Sequence, residues 1–112
     1  MDAEAVPGLD VALRALADGN RRTILSVVRE RPLPVGEVAV AVSMSQQIVS
    51  HHLRALRDAG LVTEERRGTR HLFMVRTEGL QVVEDYLSDF WPTHLAALKR
   101  AAEKTADGRI SG

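Results

Sequence analysis

The sequence predicts a mainly helical fold that carries one small β-hairpin, in the order α-α-α-α-β-β-α. Apolar residues recur at helical spacing through residues 9–59 and again from residue 80 onward, whereas the period changes to two between these stretches. The length of 112 residues suits one compact domain. We place that domain at residues 1–104 and expect residues 105–112 to form a disordered polar tail.

Polar or helix-breaking segments separate the first three helices. Leucines at helical spacing predict the first helix, which ends at the polar break of residues 18–20. The second helix stops after Arg31, because Pro32 and Pro34 cannot continue it. Valines and alanines of residues 35–42 predict a third, short helix. Aromatic residues make up only 4% of the chain, so small aliphatic side chains must fill the core between the helices.

The fourth helix has two candidate start residues. Ser45 can serve as its N-cap, whereas Ser43 with Gln46 three residues later would form a capping box. The helix runs to Ala59, and Gly60 supplies the left-handed residue that ends it.

Two strands and a long terminal helix complete the predicted fold. The strands join around Arg67-Gly68-Thr69, and Phe73 and Val75 should face the core. Residues 77–79 open the last helix. We expect Pro92 to kink this helix and not to end it, because the apolar spacing resumes beyond the proline. The apolar seam of this helix consists of Leu80, Val83, Leu87, Trp91, Leu95 and Leu98.

The charge of the chain is segregated although its sum is zero. Lysine and arginine number 15, as do aspartate and glutamate. Residues 19–31 carry four arginines against one acid, and residues 45–76 carry six arginines against three acids. The middle of a neutral chain can therefore present a basic surface of the kind that attracts nucleic acid.

The fourth helix has a polar face opposite its buried one. Once Val49, Leu53 and Leu56 are buried, the other side must present groups that hydrogen-bond base edges. Glutamine pairs with adenine and arginine with guanine, and the serines can contact DNA phosphates. The arginines of the hairpin would reach the DNA backbone or the minor groove. Short helix, turn, second helix and basic hairpin are the layout of a winged helix-turn-helix. We predict DNA contacts from Ser45, Gln46, Gln47, Ser50, His51 and Arg54 of the helix, and from Arg66, Arg67 and Arg70 of the hairpin.

Four short motifs resemble those of the ArsR/SmtB transcriptional regulators. Residues 15–22 (ALADGNRR) are similar to the start of that family's second helix, residues 49–56 (VSHHLRAL) to its recognition helix, residues 60–62 (GLV) to the start of its strand, and residues 66–68 (RRG) to its wing. The resemblance spans roughly residues 9–100, with the motifs in the family's order. It implies a winged helix-turn-helix homodimer that pairs its first and last helices. It also implies repression by binding operator DNA until an effector releases the protein.

The apolar seam of the last helix is longer than so small a domain can cover alone. A two-fold arrangement would let each chain cover the other's apolar helices. We therefore predict a homodimer whose interface contains Leu9, Leu13 and Leu16 of the first helix and Leu87, Trp91, Leu95 and Leu98 of the last.

The chain departs from the metal-sensing members of the family that it resembles. Such members carry cysteines in the third helix, where this chain has residues 38–41 (VAVA) and no cysteine anywhere. A second family site uses an Asp-x-His pair, but Leu87 stands two residues after Asp85, and His94 alone makes no site. We therefore predict no metal site and no cofactor. A small-molecule effector stays open, because the cysteine-free members have mostly undefined signals.

Two other classes of function are weaker. Glu84, Asp85, Asp89 and His94 could form an acid-base cluster, but helical carboxylates are usually solvated, and the sequence offers no nucleophile or phosphate-binding loop. We predict neither an enzyme nor any catalytic residue. A winged-helix module that binds protein instead of DNA would share the fold, but it would need no basic recognition face.

The sequence favours a cytoplasmic location. No apolar run approaches the roughly 18 residues that a membrane-spanning helix requires. The N-terminal segment is acidic, unlike a signal peptide, and the lack of cysteine excludes disulfides.

Overall fold

The computed structural model describes the backbone of residues 8–91 and 93–108, and the side chains of residues 8–91 and 98–105. Over these residues the chain forms six helices and one antiparallel sheet of two strands. In chain order the elements are α1 (Leu9–Leu16), α2 (Gly19–Glu30), α3 (Val35–Val42), α4 (Gln46–Asp58), β1 (Val62–Arg67), β2 (Arg70–Val75), α5 (Thr77–Ser88) and α6 (Thr93–Gly108).

The corner between α1 and α2 is held by side chains that cap both helix ends. The Asp18 carboxylate accepts a hydrogen bond of 3.1 Å from the backbone N–H of Arg21, which caps the start of α2. This bond lowers the pKa of Asp18 below its ordinary value of 3.8, although desolvation opposes the shift. The Arg22 guanidinium donates to the Leu16 carbonyl at 2.7 Å, which satisfies a carbonyl at the end of α1. The break predicted at residues 18–20 is shorter in the structure, since α2 already begins at Gly19 and only Ala17 and Asp18 separate the two helices.

The core lies between α2, α3, α4 and the base of the hairpin. It is aliphatic, as the scarcity of aromatic residues predicts. The predicted buried face of α4 is confirmed, and His52 lies on it with 8% of its surface exposed. The largest fully buried side chains are Ile24, Val28, Val38, Val49, Leu53, Leu56, Leu61 and Val62.

The turn between α3 and α4 decides between the two candidate starts of α4. Ser45 is the N-cap, and its hydroxyl accepts a hydrogen bond of 3.1 Å from the backbone N–H of Ile48. Ser43 instead ends α3 in the left-handed region, with a φ of 58°. The capping box of Ser43 and Gln46 is therefore not formed. At the other end of α4, Gly60 has the predicted positive φ, 77°.

The hairpin is tight and fully in register. Val62 pairs with Val75 at its base, and Arg67 pairs with Arg70 at its tip. Only Gly68 and Thr69 lie between the strands. Gly68 has a φ of 63°, which suits the first central position of a two-residue hairpin turn. The predicted hairpin and its turn are confirmed.

An additional bridge attaches the hairpin to the segment between α2 and α3. The backbone groups of Leu33 and Phe73 exchange two hydrogen bonds, of 3.0 and 2.8 Å. Proline on each side of Leu33 favours the extended backbone that this pairing requires. The hairpin therefore has a fixed position relative to α3.

The expectation of one long, kinked terminal helix is wrong. Helix α5 ends at Ser88, and α6 begins at Thr93. The backbone N–H groups of Asp89, Phe90 and Trp91 each bond to the carbonyl three residues earlier, at 3.0 to 3.3 Å, so the helix tightens as it ends. A proline also disfavours helical backbone angles at the residue that precedes it, which explains why α5 ends before position 92. Pro92 itself lies outside the described residues.

Helix α6 continues to Gly108, past the domain boundary suggested at residue 104. Residues 101–106 (AAEKTA) are mostly good helix formers, which accounts for the extension. The boundary itself stays a prediction, and residues 1–7 and 109–112 lie outside the described part. None of the described helices is both long enough and apolar enough to cross a membrane.

Helix α5 starts in close contact with the corner between α4 and β1. The Gly79 backbone N–H donates to the Gly60 carbonyl at 3.1 Å. A Cβ atom at position 79 would lie only 2.3 Å from that carbonyl oxygen. Glycine is therefore required here by close packing, which the sequence pattern did not indicate.

Candidate nucleic-acid interface

The exposed side of α4 forms a polar ridge. Gln47, His51 and Arg54 are exposed and recur every three or four residues, so they share one face of the helix. That face lies opposite the buried Val49 and Leu53. A ridge of this kind can enter a major groove and offers an amide, an imidazole and a guanidinium to base edges.

Gln46 is exposed like its neighbour but lies to one side of the ridge. Its side-chain nitrogen is 3.2 Å from the position that a Cβ atom would take on Gly36 of α3. The amide therefore sits against the first helix of the helix-turn-helix. The two adjacent glutamines differ because successive helical residues point about 100° apart.

The two predicted serines take different positions. The Ser45 hydroxyl oxygen caps α4 by accepting the Ile48 N–H, and the same hydroxyl can still donate its own hydrogen to a phosphate. Ser50 is exposed and lines a cleft between α4 and the hairpin. Ser50 can therefore reach a phosphate that approaches between these two elements.

The three arginines of the hairpin are exposed at or near its tip. Arg67 bonds to Glu65 on the same strand at 2.9 Å. Arg70 bonds to Glu37 of α3 at 2.9 Å. Within the described residues no carboxylate lies within ion-pair distance of Arg66. Two of the three predicted phosphate contacts are therefore engaged by acids in the free chain.

A cluster of charged side chains that the sequence pattern did not predict joins α4 to the hairpin. Glu64 of β1 accepts from Arg57 of α4 at 3.3 Å and contacts Nδ1 of His71 at 2.6 Å. The only sequence signal for this group was the excess of arginine in residues 45–76. Since Arg57 lines the same cleft as Ser50 and Arg54, it belongs to the basic surface.

Several exposed apolar residues lie on α1, α5 and α6 and on the turn that follows α5. Leu87, Trp91 and Leu98 are 49%, 50% and 63% exposed, and Leu13 is 40% exposed. Leu9 and Leu16 are half-buried, with Leu16 packed against the core of its own chain. The side chain of Leu95 lies outside the described residues.

Two exposed aromatic residues join this surface without having been predicted. Tyr86 and Phe90 are one helical turn apart, and their rings meet edge to face with centroids 5.0 Å apart. Their spacing was a usable signal, since positions four apart share a helix face. A cavity of about 840 Å³ between α5 and α6 adjoins Leu87 and Trp91, and the Lys99 ammonium lies 5.9 Å from the Trp91 ring centre.

Metal-ligating side chains do not cluster in the part of the chain that the structure describes. No three of its histidine, aspartate or glutamate side chains come together as a metal site would require.

Comparison with known families identifies the fold. The sequence pattern described as "Bacterial regulatory protein, arsR family" matches residues 18–64, which run from the cap of α2 to β1. The HTH-type transcriptional regulator Rv2034 of Mycobacterium tuberculosis is 36% identical over 98 residues, which cover 88% of this chain and 92% of that protein. The chain belongs to the ArsR family. It is therefore a winged helix-turn-helix transcriptional regulator and not an enzyme.

Two further relatives extend the comparison of this ArsR-family chain. The transcriptional repressor SdpR of Bacillus subtilis is 27% identical over 77 residues, which cover 69% of this chain and 86% of SdpR. The homodimeric winged helix-turn-helix DNA-binding domain of Mb0332 from Mycobacterium bovis, described as a possible ArsR-family regulator, is 27% identical. Its structure matches with a TM-score of 0.57 and covers 91% of this chain and 81% of that one. In ArsR-family terms, α3 and α4 form the helix-turn-helix, and β1 and β2 form the wing.

Proposed function

We propose that this chain is a homodimeric repressor that binds an inverted-repeat operator through α4 and the wing of each protomer. The proposal depends chiefly on one arrangement: the exposed polar ridge of α4 lies beside a wing with three exposed arginines. A module that binds only protein would have no use for this basic, hydrogen-bonding face.

The residues of the interface have separate roles in the proposal. Gln47, His51 and Arg54 read base edges in the major groove, where an amide selects adenine and a guanidinium selects guanine. The remaining predicted residues position the protein on the sugar-phosphate backbone and carry little sequence information. These backbone contacts come from Ser45, Gln46 and Ser50 of the helix and from Arg66, Arg67 and Arg70 of the wing.

The dimer is proposed from the exposed apolar surface. Leu13, Leu87, Trp91 and Leu98 are each 40–63% exposed, and apolar surface left open in this way often marks a protein–protein interface. A second copy is the natural cover, because a two-fold axis brings the same surface of each chain together. The proposed interface also includes Leu9, Leu16 and Leu95. The homodimeric state of the Mb0332 domain supports this assembly.

Two-fold symmetry constrains the operator. Two recognition helices on one side of a dimer meet half-sites about 10 bp apart, or a multiple of that distance. Repression follows if the bound dimer covers a promoter, and SdpR, a transcriptional repressor, supports this direction of control. We place the protein in the cytoplasm, where it meets DNA, and leave the identity of an effector open.

The test is a selection of duplexes from a random-sequence library by the purified protein, followed by titrations with the selected operator. Gln47→Ala and His51→Ala should each cost about 1–3 kcal/mol of operator binding and relax the base preference. Gln81→Ala, which removes an exposed glutamine from α5, is the matched control. Normal operator binding by both α4 variants would disprove the recognition-helix assignment.

The wing requires a separate measurement. Arg66→Ala should weaken binding to all sequences alike and should flatten the dependence of affinity on salt. Arg29→Ala removes the same charge from an exposed site on α2 and serves as its control. Selection of no preferred sequence by the unaltered protein would favour the protein-binding module instead.

A further inference from the structure

The cleft between α4 and the wing concentrates positive charge. Its volume is about 570 Å³, and Arg54 of the polar ridge is one of the residues that line it. Three arginines line it against one carboxylate, that of Glu64, and one histidine and two hydroxyl groups complete its polar lining. Besides Glu64, these residues are Ser50, Arg54 and Arg57 of α4 and Thr69, Arg70 and His71 of the wing.

The two carboxylates that meet these arginines differ in how they are held. Glu64 lies on β1, its side chain is only 26% exposed, and it contacts both Arg57 and His71. Glu64 is therefore held in place by two side chains and is not easily displaced. Glu37 lies in the first turn of α3, its side chain is 55% exposed, and among the described residues it forms an ion pair only with Arg70.

The Glu37–Arg70 contact crosses from the helix-turn-helix to the wing. The two residues are 33 positions apart in sequence, and the distance between Oε2 and Nη2 is 2.9 Å. A carboxylate offers a guanidinium the same kind of acceptor oxygen as a DNA phosphate. An exposed ion pair of this type shifts an equilibrium by only about 1.5- to 5-fold, so a phosphate can displace it.

We propose that this cleft takes one backbone phosphate of the operator and that Glu37 is the counter-ion which the phosphate displaces from Arg70. The inference rests on the proposed DNA-binding function. Glu37 thus lowers the affinity for DNA by occupying Arg70 in the free protein. It also lowers the salt dependence, since the carboxylate freed on binding takes up a cation and offsets the cation that the phosphate releases.

The experiment compares Glu37→Gln with the unaltered chain on the selected operator duplex over a series of salt concentrations. The variant should bind about threefold more tightly per protomer at low salt. Its plot of log affinity against log salt should be steeper, by up to about 0.9 per protomer, because no freed carboxylate then takes up a cation to offset the one that the phosphate releases. Thermal unfolding of both proteins checks that the fold is unchanged.

Two controls separate the local exchange from a general change of charge. Glu78→Gln removes the same charge from an exposed ion pair with Arg76 at the start of α5 and should leave affinity and slope unchanged. In an Arg70→Ala background, Glu37→Gln should lose its effect, because no guanidinium remains to be released.

Several results would overturn the proposal. Equal or weaker operator binding by Glu37→Gln would show that Glu37 does not compete with DNA. An equal gain in operator affinity from Glu78→Gln, or a full gain from Glu37→Gln in the Arg70→Ala background, would show that only the general loss of negative charge raises the affinity. In each case the proposed function stands if the unaltered chain still binds its operator specifically, and it falls too if that chain binds no operator.

Discussion

Replacing Gly79 by alanine tests the close approach of α5 to the corner between α4 and β1. The added Cβ would meet the Gly60 carbonyl oxygen at 2.3 Å and the carbonyl carbon at 2.7 Å, whereas ordinary contact begins at 3.4 Å. Both atoms belong to backbone, which cannot swing aside as a side chain can. The helix start must therefore retreat by about 1 Å, and overpacking of this kind costs about 1–3 kcal/mol.

Two smaller effects adjust this cost. The retreat weakens the hydrogen bond from the Gly79 N–H to the Gly60 carbonyl, which contributes about 1 kcal/mol. The better helix propensity of alanine stabilises the variant by about 1 kcal/mol and so offsets the weakened hydrogen bond. We expect the free energy of unfolding of Gly79→Ala to fall by about 2 kcal/mol, and its Tm to fall by roughly 8–16 °C.

Thermal and urea unfolding followed by circular dichroism measures both quantities. Gly19→Ala is the matched control, since its Cβ would meet only the Arg22 side chain at an ordinary 3.7 Å. That variant should stay within about 0.5 kcal/mol of the unaltered chain. Equal stability of the two variants would refute the close approach at position 79.

Four further predictions concern the cap of α4, the dimer, the acid limb of stability and metal release. Ser45→Ala should lower the free energy of unfolding by about 1 kcal/mol, because the Ile48 N–H loses its acceptor, whereas the mid-helix control Ser50→Ala should not; urea titration decides. The double variant Leu87→Gln with Trp91→Gln should sediment as a monomer at micromolar concentration. Val40 of α3 is also apolar and is 81% exposed, but Val40→Gln should leave the dimer intact. A dimer in both variants would refute the interface. The bond from the Arg21 N–H lowers the pKa of Asp18, so the ionised carboxylate stabilises the folded chain. This stabilisation is complete above pH 3.8 and is lost as the pH falls through the lowered pKa. Unfolding between pH 7 and 2 should show the unaltered chain losing stability relative to Asp18→Asn only in that acid range. Micromolar zinc, cadmium or arsenite should not release operator DNA, and release with stoichiometric binding by calorimetry would refute this.

The sequence predicted most of the fold because the decisive signals are local. Apolar spacing places the helices, prolines 32 and 34 end α2, and Gly68 allows the two-residue turn. The polar ridge of α4 follows from helix geometry once Val49 and Leu53 are buried. Its exposure could therefore be predicted from the sequence, while its contact with DNA stays a prediction.

The remaining features depend on contacts between distant parts of the chain. Glu37 meets Arg70, and Leu33 pairs with Phe73, only after the helices and the hairpin have packed. Gly79 is required by a carbonyl group that belongs to another element. The break after Ser88 was missed for a different reason, because apolar spacing alone cannot distinguish a kinked helix from two separate ones.

The bridge between Leu33 and Phe73 fixes the base of the wing, while its tip extends beyond this point without a further backbone bridge among the described residues. Beyond this support, residues 70–72 of β2 project toward the tip, an overhang of about 10 Å at the usual rise per residue of a strand. One added residue pair near Gly68 would lengthen the overhang by about 3.4 Å without disturbing the core. An insertion beside Leu33 would instead move the support and redirect the whole wing. In the proposed complex with DNA, the length of the tip would therefore set how far the wing reaches, and the Leu33–Phe73 bridge would set its direction.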